Sequence, residues 1–137
     1  MKLNPEAAAV LFSTANVSYE RKRYEEALDS YDRALAIQPD FAQAHHGRAT
    51  VLSTFELKRY EEALDSYDRA LAIRPDFAEA HHGRGNVLRT FGRIKEALPL
   101  LEKAVELAPQ SVKFVGSLVH LTKVLSGTAS PVLVEFT

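Results

Sequence analysis

The chain has no cysteine among its 137 residues. Disulfides, thiolate nucleophiles and cysteine-ligated zinc are excluded, although this does not fix a compartment. Long apolar runs are missing too. The run near the N-terminus, AAAVLF at residues 7–12, is far short of the roughly 18 apolar residues of a membrane span. One lysine precedes it and polar residues follow at once, which is not the pattern of a secretory leader. There is no glycine-rich phosphate loop and no serine, histidine and aspartate set placed for nucleophilic attack. Charge of one sign is absent as well: 17 basic and 18 acidic residues leave a net −1. That balance gives no electrostatic reason to expect nucleic acid or an anionic membrane. A cytoplasmic, non-enzymatic protein without cofactor or metal is the expectation.

What the chain does contain is a copy of itself. Residues 23–48 recur at residues 59–84, and only Gln38/Arg74 and Gln43/Glu79 differ across those 26 positions. A unit copied in tandem predicts a stacked array, with function in a repeated surface rather than in one cleft. The near identity fits a recent duplication or an engineered array.

Each copy reads as two amphipathic helices. Over Tyr24–Ile37 the apolar residues Tyr24, Ala27, Leu28, Tyr31, Ala34, Leu35 and Ile37 fall at helical spacing. Asp29 and Arg33 are one turn apart on the wet face. Pro39 ends the helix, and Asp40 is placed to cap the next, expected over about Phe41–Phe55. The pattern returns as Tyr60–Ile73, Pro75, Asp76 and Phe77–Phe91, and then as Ile94–Leu107 and Pro109. The first helix opens with Asn4, Pro5 and Glu6 and runs to about Arg21. A seventh, about Ser111–Leu125, carries Phe114, Val115, Leu118, Val119, Leu121, Val124 and Leu125. It is expected to cover the last open apolar face of the array. Beyond it, Gly127–Pro131 reads as a linker and PVLVEFT as a short strand, similar to the opening strand of thioredoxin-like domains. A piece of a larger protein, a flexible end and a docking segment all remain open for this tail.

These residues resemble the tetratricopeptide repeat (TPR), a helix–turn–helix unit of 34 residues. Second helices carry Ala27, Tyr31, Ala34 and Pro39; Ala63, Tyr67, Ala70 and Pro75; and Ala97, Leu101, Ala104 and Pro109. First helices carry the small residues Ala15, Ala49 and Gly85. The resemblance implies an all-α, right-handed solenoid of three repeats, about 8–41, 42–77 and 78–111. A capping helix over 111–125 completes a domain of residues 1–126, and 127–137 form the linker and tail. Two departures stand out. Ala49 to Ala63 spans two residues more than Gly85 to Ala97, which should lengthen the first helix or its turn near Glu56–Arg59. Arg48 and Arg84 occupy slots that are usually apolar, so their stems should pack with the guanidinium at the edge.

In this family the first helices line a concave groove. By matching position the groove residues are Phe12, Asn16 and Tyr19, then Gln43, His46, Thr50 and Ser53, then Glu79, His82, Asn86 and Arg89. This mixed surface suits an extended or helical peptide, so the expected function is a protein-interaction scaffold. A substrate-recognition fragment of a larger enzyme, a glycosyltransferase or thioredoxin-like fusion, is the alternative, as is a self-associating homo-oligomer. Chaperone-adaptor TPRs clamp acidic C-termini with Lys, Asn and Arg. Here only Asn16 matches, while Phe12, Gly47, Glu79 and Gly83 fill the other slots, which argues against that ligand. The asparagine ladder of glycosyltransferase-type arrays is replaced by Ser13, Gly47 and Gly83. The doublets His45–His46 and His81–His82 diverge by about 100° around a helix and cannot chelate from one face. His46 and His82 sit on neighbouring first helices, and without a placed carboxylate no metal site is expected.

Overall fold

The computed structural model describes residues 4–54 and 57–127. Seven helices occupy them: α1 (Pro5–Glu20), α2 (Tyr24–Ile37), α3 (Ala42–Leu52), α4 (Tyr60–Ile73), α5 (Ala78–Thr90), α6 (Ile94–Leu107) and α7 (Val112–Leu125). The chain is an all-α helical repeat protein. It divides into two compact units, one through Pro75 holding α1–α4 and one from Asp76 holding α5–α7. The strand-like tail expected over Pro131–Thr137 lies outside the described residues.

Within each repeat the first and second helices pack closely because alanine or glycine stands at every crossing. Ala15, Ala27, Ala34, Ala49, Ala63, Ala70, Ala97 and Ala104 are all fully buried. Gly85 is buried too, and a Cβ there would lie 2.8 Å from Leu101 Cδ2.

Proline ends each second helix as expected. Gln38, Arg74 and Ala108 directly precede Pro39, Pro75 and Pro109 and leave the helical region at φ −132°, −134° and −141°. Asn4 caps α1, its Oδ1 accepting from the Glu6 amide at 2.9 Å. The expected cap at Asp40 is not what the structure shows. Phe41 holds the N-cap position of α3 without a side-chain cap bond, and Phe77 does the same for α5. Packing decides this: the Phe41 ring lies 4.9 Å from that of Phe12, and Phe77 is buried.

The second repeat is two residues longer, and its residues 55 and 56 lie outside the described residues. α3 stops at Leu52, and seven residues, 53–59, separate it from α4, against three after α1 and three after α5. The short turns close alike. Arg23 N–H donates to Ser18 O and Arg93 N–H to Leu88 O, with Lys22 (φ 61°) and Gly92 (φ 80°) in the left-handed region. In the long turn Lys58 (φ 50°) takes that role and Arg59 N–H reaches Leu52 O.

α7 covers the α5–α6 pair in part. Phe114 packs with Ala78 and Ala104, and Leu121 is fully buried. Ser117 and His120 are buried beside them, so the seam of this helix is more polar than its sequence pattern implies. Val112, Val115, Val119 and Leu125 are exposed.

Candidate functional site

In the first unit, α1 and α3 present Phe12, Asn16, Tyr19, Gln43, His46, Thr50 and Ser53, and the second helices place tyrosines behind them. The Tyr31 hydroxyl of α2 donates to Asn16 Oδ1. Its ring stands 6.1 Å from that of Phe12. Burial, with lesser contributions from Tyr19 and Glu20, pushes the Tyr31 phenol up to about 12. The phenol thus occupies one lone pair of the Asn16 carbonyl oxygen, while the Asn16 amide nitrogen is a donor.

Gly47 makes this arrangement possible. A Cβ at that position would lie 2.5–2.7 Å from the Tyr31 Cζ, Cε1 and Oη atoms. The Tyr31 ring can reach Asn16 only because residue 47 has no side chain.

Tyr67 of α4 repeats the device under α3. Tyr67 is buried, 3% exposed. Burial raises its pKa, and the neighbouring Thr50 and Ser53 hydroxyls partly offset the rise. Both hydroxyls also bond backbone carbonyls, Thr50 Oγ1 to His46 O at 2.9 Å and Ser53 Oγ to Thr50 O at 3.0 Å. The half-buried His46 ring lies 5.8 Å from that of Tyr67. Tyr19 is half-buried against Tyr24, and Gln43 is exposed. Tyr31 and Tyr67 are the site residues that sequence reasoning passed over, since they read as packing residues. The available signal was a phenol where the repeat needs only bulk.

In the second unit the expected residues part company. Glu79 is exposed, whereas His82 is 4% exposed and bound inside the α5–α7 seam. Its Nε2 lies 2.8 Å from Ser117 Oγ and 3.2 Å from Asn86 Nδ2, and its ring is 4.7 Å from that of Phe114. Asn86 Oδ1 and His120 Nε2 are buried in this unit without a hydrogen-bond partner among the described residues. Arg89 is half-buried, and desolvation lowers its pKa.

Arg48 proves more than an edge residue. Its Nε donates to Asp32 Oδ1 of α2 at 2.6 Å and its Nη1 to Ser66 Oγ of α4 at 2.7 Å. It lines a cleft of ≈ 310 Å³ with His45, whose Nε2 is 2.8 Å from Pro39 O. His45 and His46 thus point to different neighbours, one to the backbone after α2 and one to Tyr67. Among the described residues no three His, Cys, Asp or Glu side chains are grouped to hold a metal ion, and no helix is long and apolar enough to cross a membrane.

Two sequence profiles match the chain, "TPR repeat" over residues 15–54 and 52–90 and "Tetratricopeptide repeat" over residues 78–111. The chain belongs to the tetratricopeptide repeat family. Among solved structures it is similar to the first TPR of Spaghetti (RPAP3) bound to an HSP90 peptide, with TM-score 0.85 and 23% identity over 92% of this chain and 98% of that one. The TPR domain of Arabidopsis OM64 gives 0.82 and 25% over 87% and 97%. The second TPR domain of human RPAP3, in complex with an HSP70 peptide, gives 0.79 and 24% over 88% and 99%. No curated protein matches the chain.

Proposed function

We propose that this chain is a non-catalytic adaptor that holds a peptide segment of a partner protein against the faces of its first helices, with the cytoplasm as its setting. The observation that carries the reading is the paired arrangement in the first unit. The buried phenol of Tyr31 fixes Asn16, and backbone carbonyls fix the Thr50 and Ser53 hydroxyls, beside half-buried aromatic surface. Fixed polar groups on helices suit a peptide backbone, because little side-chain freedom is lost when it binds.

Two of the similar domains are described with peptides ending in EEVD. For this chain we propose a different ligand, a peptide whose contacting side chains are uncharged or basic. Residue 47 cannot carry a clamp side chain while Tyr31 occupies the space of its Cβ. On the second unit, Glu79 of α5 is exposed, and its negative charge disfavours a carboxylate at that helix's own surface.

The test is fluorescence anisotropy with the HSP90 peptide SRMEEVD and an amidated, charge-neutral version of it. The neutral peptide should bind at least as tightly. Tighter binding of the acidic peptide by the native chain would overturn the ligand class. A ten-residue peptide array tests the adaptor reading itself. If no sequence loses signal when Asn16 and Thr50 are changed to Ala, that reading fails.

A further inference from the structure

The two units pair the same asparagine differently. Asn16 and Asn86 hold the ninth position counted from Ala8 in α1 and Ala78 in α5, and Tyr31 and Leu101 hold the eighth position of α2 and α6. In the first unit the Tyr31 hydroxyl donates to Asn16 Oδ1. In the second, Leu101 has no hydroxyl to give, and Asn86 Oδ1 is buried without a hydrogen-bond partner. The other end of that amide is engaged, Asn86 Nδ2 lying 3.2 Å from His82 Nε2.

α7 carries a second deficit. Its buried residues are Phe114, Ser117, His120 and Leu121, two polar of four, whereas His45 is the one polar residue among the six buried in α3. Ser117 Oγ has a partner in His82 Nε2 at 2.8 Å. His120 does not: the residue is 9% exposed and its Nε2 is buried without a hydrogen bond. A buried polar atom that gains no bond has given up water without replacement, and the docked form of the helix is weakened by that loss. The helix also has little tendency to hold its own shape. Val112, Val115, Gly116, Val119, Thr122 and Val124 are β-branched or glycine, six of its fourteen residues, and all are poor helix formers.

We propose that α7 is a lid over α5. It opens as a unit while α5 and α6 stay packed on each other. Opening gives water to Asn86 Oδ1 and His120 Nε2, and it uncovers His82, whose ring Ser117 and Phe114 contact in the closed form. The α5–α6 pair is held by contacts that opening leaves intact: Ala97 and Leu101 are fully buried, and Leu101 fills the space left by Gly85. The lid sets how often the α5 face around His82 and Asn86 is accessible. It does not depend on the peptide site proposed above.

Amide hydrogen exchange of the full chain, followed residue by residue by NMR, is the test. The amides of Gly116–Leu121 should share one protection factor, about tenfold or more below that of Ala97–Ala104 in α6. His120→Leu removes the unpartnered nitrogen and keeps the seam filled. It should slow α7 exchange by roughly fivefold and leave α6 exchange unchanged. If that variant melts lower than the native chain, His120→Met, whose side chain adapts to an irregular gap, replaces it. Diethyl pyrocarbonate gives an independent reading, mapped by mass spectrometry. Modification of His82 should slow by about the same factor in His120→Leu, with His45 of the first unit reacting at an unchanged rate. Equal protection of α7 and α6 overturns the proposal. So does protection that falls steadily towards Leu125, which is a fraying end and not a lid. Unchanged or faster α7 exchange in both His120 variants overturns it too, since His120 Nε2 would then be paired through water in the closed form.

Discussion

Arg48 and Ser66 meet across two helices, the guanidinium Nη1 of α3 donating to the hydroxyl Oγ of α4 at 2.7 Å, with Ser66 1% exposed. The same guanidinium holds Asp32 of α2. One side chain thus joins three helices, and its removal would leave a buried hydroxyl without its donor. Arg48→Ala should lower unfolding free energy by about 1.5 kcal/mol. Arg69→Ala, which breaks only the exposed pair with Asp65, should change it by less than about 0.5 kcal/mol. Urea denaturation of the two variants checks the contrast, and equal losses would remove Arg48 from its bridging role.

Gly47→Ala pits helix propensity against packing. Alanine gains about 1 kcal/mol in a helix interior. Its Cβ would press on a Tyr31 ring that is 2% exposed and tied to Asn16, so the ring has nowhere to move. Overpacking costs about 1–3 kcal/mol and should win, for a net loss of about 1 kcal/mol and weaker binding at the Asn16 face. A stabilised variant would show that the ring is free to shift.

Lys22 holds the left-handed turn position that Gly92 holds two repeats later, at φ 61° against 80°. A side chain in that region is strained and glycine is not. Lys22→Gly should therefore stabilise the first unit by about 0.5–1 kcal/mol, read as a higher melting temperature.

Tyr31 gives the fold an alkaline limit. Its phenol is raised to about 12, above the ordinary value near 10, so the folded state binds the proton more tightly than the unfolded state. The contribution is fully present below pH 10 and is lost as pH rises from 10 towards 12. Tyr31→Phe should flatten that decline, and urea midpoints taken across this window measure it.

The outline of the fold was legible because its signals are local. Helical periodicity, the prolines at 39, 75 and 109, and the small residues at 15, 49 and 85 each act within a few residues of themselves. The contacts that build the candidate site are not local. Arg48 bonds Asp32 from 16 residues away, and His82 bonds Ser117 from 35. No periodic pattern reports such pairs. His46 and His82 show the consequence: they stand at matching positions in nearly identical copies, yet one is half-buried beside Tyr67 and the other closed in against α7. The extra length of the second repeat was visible as a count, but only backbone hydrogen bonding showed that α3 ends at Leu52 and that Arg59 N–H returns to Leu52 O.

The duplication also sets a problem of address for the folding chain. α2 and α4 have the same fourteen-residue sequence, YEEALDSYDRALAI. Nothing in their side chains tells α1 which of them to choose. Connectivity does: three residues lie between α1 and α2, against 39 between α1 and α4. Closing the longer loop costs about 2 kcal/mol more in chain entropy. The short turn at Arg21–Arg23 therefore works as a postal code, selecting between two identical helices by distance along the chain alone.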